Sequence, residues 1–412
     1  MSVANNPINT EQQRQHERYA VELFNTPELI KVRQQVHDYW LDLAKPSAVA
    51  ASCFDAAFEE VMFAAVIWAL NQDPLYPKVI TITRLAHALD EIQIPGSRWG
   101  IDNPDSVYRV IPISGDHRYQ IHGRVAKRRL LENYFTLWDK DMRTVGLLSG
   151  KDLVVDADGF FTITVDADEA GSRPNHIQTD HTAHEFYIRD VIADWQLDRP
   201  NELRVERVGA AEREPRSRQQ DIQLASEYMQ KWATNTTRWN NQAMNRAPND
   251  FSFTIDRDTD GALRNQVYIM GHFVLPSHDH VIVLDIDMGG AEYFIAPITN
   301  LWGTSNEIVE RNGCLNQAQS IANADGSYQF VLALHDPGVA NWLDPSDMTE
   351  GILTLRWAEF VNDQAGESLG VKSRLLTITE FNNERAGQPV FTLEQRQQQL
   401  VARAASYQWR LA

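Results

Sequence analysis

The chain has 412 residues, 43% apolar and 23% charged, with 21 glycines and 17 prolines. This is ordinary globular chemistry with enough length for a large buried core, and it excludes a mainly disordered, collagen-like or disulfide-scaffold protein. The formal net charge of -18 makes a surface that repels phosphate backbones and anionic lipid, so neither nucleic acid nor a membrane is expected as a partner.

The N-terminus, MSVANNPINTEQQRQ, has no basic start followed by an apolar run, so no signal peptide is expected. A cytoplasmic location follows as an expectation. Two cysteines, Cys53 and Cys314, are expected to be reduced, small apolar residues. Residues 1–95 read as a helical segment. Leu29, Val32, Val36, Tyr39 and Leu43 follow the three-four spacing of one buried stripe, with Thr26 as N-cap and Pro27 in the first turn. Residues 48–71 read as a second helix. Its run from Val61 to Leu70 is apolar all round, which calls for cover on several sides but is too short to span a bilayer.

Near residue 100 the period changes. YRVIPI, RYQIHGRV, NYFTLW, DLVVD and FFTITVD are short β-branched and aromatic segments separated by turn residues, the pattern of an antiparallel sandwich. The first sandwich is placed at 96–210. A polar, helix-forming insert at 211–248 carries Leu224, Tyr228, Met229 and Trp232 on one face. Strands resume over 249–385, and a helix at 386–412 closes the chain. The fold class expected is α+β, mainly β: two jelly-roll-like antiparallel β-sandwiches with helical additions.

The two strand regions share a plan. DADGFFTITV, Asn175-His176-Ile177 and HEFYIRD in the first match NADGSYQFVL, Asn341-Trp342-Leu343 and GILTLRW in the second. Gly159 to Asn175 is 16 residues and Gly326 to Asn341 is 15. An internal duplication is therefore expected, marked by an asparagine corner and by Arg189 and Arg356. Period two puts Leu353, Leu355 and Trp357 on one face and Arg356 on the other. Trp342 is expected to point inward beneath that strand.

DGSYQFVLALHDPGVANWLDPSDMTEGILTLRW, together with IDNPDSVYRVIPI and RYQIHGRV, resembles a bacterial family of unknown function, the domain numbered twelve-fourteen and its relatives. The resemblance spans roughly residues 95–208 and 265–360. It implies jelly-roll-like β domains and almost nothing about chemistry. His176 stands where that family tends to have tryptophan.

Several clusters could carry chemistry. Asp285 and Asp287 end the apolar strand VIVLDIDM on one face, where a buried pair would push one carboxyl toward its protonated form. His335 beside Asp336 is an alternative proton carrier. Asp55, Glu59 and Glu60 border the apolar helix. His278 and His280 could chelate a metal with Asp285 or Asp287, as in a cupin, and His176, His181 and His184 with Asp180 form a second histidine group. DRDTDG at 256–261 starts like an EF-hand loop but has Val267 where a bidentate carboxylate is needed. Phosphate loops, nucleophile elbows and CxxC pairs are missing from the sequence. Eleven tryptophans suit an aromatic core or a lined pocket.

The leading expectation is an enzyme, a lyase or isomerase, acting on a small lipophilic substrate of terpenoid or steroid type. It would use acid–base chemistry with no cofactor and no metal. Asp285, Asp287 and His335 would be catalytic, and Trp302, Trp342 and Asn341 would line the pocket. The alternatives are a metal-dependent cupin-like enzyme and a non-catalytic carbohydrate-binding or assembly protein. The sequence sets no oligomeric state.

Overall fold

The computed structural model describes residues 6–253 and 265–412. The DRDTDG segment lies outside them. Four helices come first: α1 (Glu11–Phe24), α2 (Pro27–Ala44), α3 (Ala48–Ser52) and α4 (Phe54–Leu70). Strands follow: β1 (Ile80–Thr81), β2 (His87–Leu89), β3 (Ile92–Ile94), β4 (Ser106–Pro112), β5 (Tyr119–Arg124), β6 (Asn133–Trp138), β7 (Thr144–Ser149), β8 (Phe160–Asp166), β9 (His176–Gln178), β10 (Glu185–Val191) and β11 (Glu202–Arg207). Helix α5 (Arg218–Met244) separates these from β12 (Gln266–Val274), β13 (His280–Asp287), β14 (Ala291–Thr299), β15 (Cys314–Asn316), β16 (Tyr328–Ala333), β17 (Trp342–Leu343), β18 (Glu350–Phe360) and β19 (Gly370–Thr377). Helices α6 (Ile378–Glu384) and α7 (Leu393–Tyr407) end the chain.

The α+β reading, mainly β with helices, holds. Each sandwich has an inner and an outer sheet. The inner sheets run β1-β4-β10-β6-β7 and β12-β18-β14-β15, and the outer sheets run β11-β5-β8-β9 and β19-β13-β16-β17. Taking β4 to β11 onto β12 to β19 in order reproduces the pairing of both sheets. Pairing is antiparallel except for one short parallel pair in each copy, β8 with β9 and β16 with β17.

The asparagine corners make those parallel pairs. Asn175 accepts from the Val154 amide (2.9 Å) and donates to the Val154 carbonyl (2.8 Å). Asn341 does the same to both backbone groups of Ile321, each at 2.8 Å. The main-chain carbonyls of Asn175 and Asn341 accept from Thr164 and Val331, which starts each parallel pair. An amide side chain that satisfies a donor and an acceptor at once replaces a strand neighbour at the sheet edge. The Asp-Gly turns also match, with Gly159 at φ 82° and Gly326 at φ 85°, left-handed values that favour glycine.

Helices α1, α2, α4 and α5 form one layer against the first inner sheet. The apolar half of α4 is covered by helices and sheet together, and Trp68 donates from Nε1 to Glu185 of β10 (3.0 Å). Thr26 caps α2 with Pro27 in its first turn. The buried stripe of α2 is Leu29, Val36 and Trp40, whereas Tyr39 and Leu43 are exposed. Trp40 sets this rotation: its ring meets Trp302 at 5.3 Å and its Nε1 donates to Thr237 of α5 (2.9 Å). The helix expected over 48–71 breaks at Cys53 into α3 and α4.

The second sandwich packs on the far end of the first. Val107, Val191 and Ile192 meet Tyr293, Ile295, Cys314 and Ala358 in one buried cluster. The chain end locks this junction, because Arg410 donates to the carbonyls of Pro104 (2.7 Å), Asp105 (3.3 Å) and Ser106 (3.1 Å). No helix among the described residues is long and apolar enough to cross a membrane.

Candidate functional site

The residues picked from the sequence do not converge. Asp285 lies on the outward face of β13, about two-fifths exposed, accepting from Gln329 (2.7 Å) with Arg374 at 3.5 Å. Asp287 is exposed; it accepts from the Gly289 amide (2.9 Å) and the Ser368 hydroxyl (2.8 Å), so it shapes a turn. The strand is apolar on its core face, but period two turns both carboxylates outward. His335 is exposed, with its ring 5.4 Å from that of His278. His280 bonds Ser277 (2.9 Å) rather than sharing a centre with His278. Among the described residues no group of three or more His, Cys, Asp or Glu side chains is placed to hold a metal ion.

The pocket-lining residues are core. Trp302 is buried against Trp40 and Phe54 and donates to the Ala50 carbonyl (2.7 Å). Trp342 lies on the outer face of the outer sheet, not beneath β18: it packs with Val281, Val283, Val331 and Phe381, and donates to the Ala333 carbonyl (2.8 Å). Its backbone pairs with β16, so its side chain takes the outward parity and Leu343 takes the inward one. Asn341 is fully used in its corner. Nine of the tryptophans are buried and none of the described ones is exposed, so none offers a flat platform to a sugar ring.

The strongest site lies where the two inner sheets meet. It is a cavity of about 20 Å³ lined by Ser106, Glu132, Arg189, Tyr268, Tyr293 and Arg356 among others. That volume holds about one water. The duplication builds it. Arg189 on β10 pairs in register with Tyr108 on β4, and Arg356 on β18 pairs with Tyr268 on β12. On β18 the apolar trio Leu353, Leu355 and Trp357 faces the sandwich core, which sends Arg356 out toward the first sandwich, as the alternation requires. Arg189 donates to Thr136 (3.1 Å) and its guanidinium lies over the rings of Tyr187 (4.7 Å) and Trp138 (5.6 Å). Arg356 donates to the Ile101 carbonyl and stands over Tyr268 (5.9 Å).

Glu132 is the acid of the site. It is 2% exposed; Gln266 of the second sandwich donates to its Oε1, and among the described residues its Oε2 has no partner. Burial, with the nearby charge of Glu359, pushes its carboxyl up to about 8 against the pull of Arg189 and Arg356. Glu359 makes the reciprocal contact, accepting from Tyr134 (2.6 Å) and Lys151 of the first sandwich. Each sandwich thus holds the other's buried acid. Asp105 lies behind Tyr293 and is saturated by Trp195 (2.7 Å), Asn316 (2.7 Å) and Tyr293 (2.8 Å); burial still raises it to about 6.

Sequence reasoning missed Glu132 and Tyr108 and named Arg189 and Arg356 only as markers of the repeat. The usable signal was there: an arginine kept at matching positions of two copies, on the face opposite the apolar residues. Glu132, a lone acid in LLENYF, carries no local sign of its burial.

No family model and no curated protein matches the chain. Its fold is similar to the crystal structure of an uncharacterized protein from Burkholderia cenocepacia, with TM-score 0.71 and 19% identity over 88% of this chain and 99% of that one. A Vibrio parahaemolyticus protein aligns more loosely, with TM-score 0.45 and 11% identity over 84% of this chain and all of its own. The first of these shares the fold.

Proposed function

We propose that this chain is an enzyme that acts on a small molecule by acid–base chemistry at the junction of the two sandwiches, with Glu132 as proton donor. The observation that carries the reading is the unpartnered Oε2 of a buried carboxyl. Oε1 accepts from Gln266, so the proton of the neutral acid sits on Oε2, the atom free to give it away. A carboxyl held near 8 is protonated at neutral pH and still acidic enough to donate, the poise that general acids need. Tyr268 and Tyr293 border the same space and orient what enters.

The reading keeps the acid–base chemistry expected from the sequence and moves it from Asp285 and Asp287 to Glu132. A terpenoid or steroid skeleton does not suit a cavity of about 20 Å³. A single hydroxyl or carbonyl oxygen of a smaller molecule suits a space for about one water, with the remainder lying over half-exposed Tyr268.

The test is solvent-deuterium incorporation, followed by NMR, into a panel of small hydroxy and carbonyl compounds. The wild type should label at least one member, and Glu132→Gln should slow that labelling by about 10²–10⁴-fold, the usual worth of a general acid. Labelling that survives in Glu132→Gln overturns the role of Glu132, and a wild type inert to the whole panel counts against acid–base catalysis here.

A further inference from the structure

We infer that the group a substrate places between the sandwiches is an alcohol hydroxyl, and that the reaction there is the reversible dehydration of a small β-hydroxy carbonyl compound. The inference rests on the reading of Glu132 as proton donor and deepens it. Its own support is a set of polar atoms around a space of one-water size. Of the residues that line the cavity, Ser106, Glu132 and Arg356 each have a buried polar atom without a partner among the described residues: Oγ, Oε2 and Nε. Trp357 Nε1 is a fourth such atom, but its ring packs in the second core against Phe294 (5.3 Å). The neighbouring polar groups are served. Arg189 donates to Thr136 (3.1 Å), Tyr293 donates to Asp105 (2.8 Å), and the Tyr108 hydroxyl accepts from the Asn103 amide (3.0 Å).

Counting donors and acceptors selects the group. Arg356 Nε can only donate, the acid form of Glu132 donates from Oε2, and the Ser106 hydroxyl can accept or donate. A hydroxyl oxygen accepts twice and gives one hydrogen, so it serves all three: it accepts from Arg356 and Glu132 and donates to Ser106. A carbonyl oxygen has two lone pairs and no hydrogen, so it pairs with two of the three and leaves the third alone. An ammonium has no lone pair for Arg356. A carboxylate needs room for two oxygens, which a cavity of about 20 Å³ does not give.

An acid aimed at an alcohol oxygen makes that oxygen a leaving group. The carbon–oxygen bond breaks, the Oε2 proton passes to the departing oxygen, and water is left in a cavity of its own size. In the same event a hydrogen on the neighbouring carbon passes as a proton to the carboxylate that Glu132 becomes, and its electron pair closes the carbon–carbon double bond. Glu132 ends protonated, as it began, and the alcohol has become an alkene and water with no other reactant. An unactivated C–H is too weak an acid for a carboxylate, so that carbon stands next to a carbonyl. The carbonyl and the rest of the molecule lie outside the cavity, over Tyr268, which is 49% exposed.

Oxygen exchange on the full chain tests this. The β-hydroxy ketones 4-hydroxybutan-2-one and 4-hydroxypentan-2-one are incubated in oxygen-18 water containing deuterium oxide and followed by carbon NMR, beside a protein-free control. The expected result is oxygen-18 at the carbinol carbon, entering at least about tenfold faster than in the control and slowed about 10²–10⁴-fold in Glu132→Gln, the worth of a general acid. Ser106→Ala should slow it by about tenfold, because the hydroxyl loses the acceptor that aims it. The wild-type comparison needs no variant, so it stands even where a substitution disturbs folding. Oxygen-18 entry at the control rate in both ketones overturns the inference. If deuterium still enters beside the carbonyl and needs Glu132, the acid–base reading survives that failure. Oxygen-18 entry that persists in Glu132→Gln overturns both readings, and entry unchanged in Ser106→Ala overturns the three-partner seat of the hydroxyl.

Discussion

The outer sheets of the two sandwiches have the same strand order and opposite outward faces. In the second, Val281, Val283, Val331, Ala333 and Trp342 form an apolar patch that α6 covers with Phe381. In the first, register places Gln120 where Val283 stands, Thr164 where Val331 stands and His176 where Trp342 stands. Among the described residues no helix covers this face. It is an open groove of about 750 Å³ whose members include His122, Phe160, Thr162, Thr164 and Arg204. His176 is satisfied there by the Thr164 hydroxyl and the Asp168 carbonyl, both at 2.8 Å. The inward faces stay apolar in both copies. Duplication therefore preserved the core and the asparagine corners, and left the outward residues free to choose between a cap and water. The inner sheets differ less: both kept a Tyr–Arg pair, and both pairs line the cavity at their junction.

Four measurements press on this comparison. The largest contrast is expected at the matched pair Trp342 and His176. Trp342→Ala should cost about 3–5 kcal/mol in urea unfolding, as a buried aromatic does, and should loosen α6 first in hydrogen exchange. His176→Ala should cost about 1 kcal/mol, the worth of its hydrogen bonds. Equal costs would mean that the cap contributes nothing.

The second contrast is in pH. The folded carboxyl of Glu132 is raised to about 8 from an ordinary value near 4.5. The folded state thus holds a proton that the unfolded chain has lost between those values. Its share of stability is full below about 4.5 and is lost as pH rises toward 8, with a slope of up to about 1.4 kcal/mol per pH unit. Glu132→Gln should flatten the fall in stability between pH 5.5 and 7.5. An unchanged slope would mean that Glu132 does not hold that proton.

The third measurement asks whether the corners are equivalent. Asn175→Ala and Asn341→Ala each remove two part-buried hydrogen bonds to a backbone amide and carbonyl, so each should cost about 1–3 kcal/mol, and the two should agree within about 1 kcal/mol. A large difference would place the corner energy in the surrounding cap rather than in the amide. The smallest effect is expected at Asp285. Asp285→Asn removes an exposed acid paired loosely with Arg374, so stability should move by less than about 0.5 kcal/mol and deuterium labelling should not move. A collapse of labelling there would return the catalytic role to the strand end.

By itself the sequence determined the α+β class, the helices up to Leu70, the repeated strand plan and the parity of β18. These rest on periodicity, turn residues and the asparagine corners, which act over a few residues and leave a local trace. The segment expected to be helical over 1–95 is not so throughout, because β1, β2 and β3 occupy 80–94 and β1 joins the first inner sheet. It did not determine which face of α2 is buried, because Trp40 outcompetes Tyr39 and Leu43 only once α5 and Trp302 are in place. Nor did it determine the fate of the acids. Asp285 and Asp287 end an apolar strand and are exposed, while Glu132 sits in an unremarked stretch and is buried. Burial and charge pairing are set by what the second sandwich brings to the first, through Gln266, Arg356 and Glu359. Those partners lie more than a hundred residues from Glu132 in sequence, so only the packed tertiary structure could assign it a raised pKa and an empty space to face.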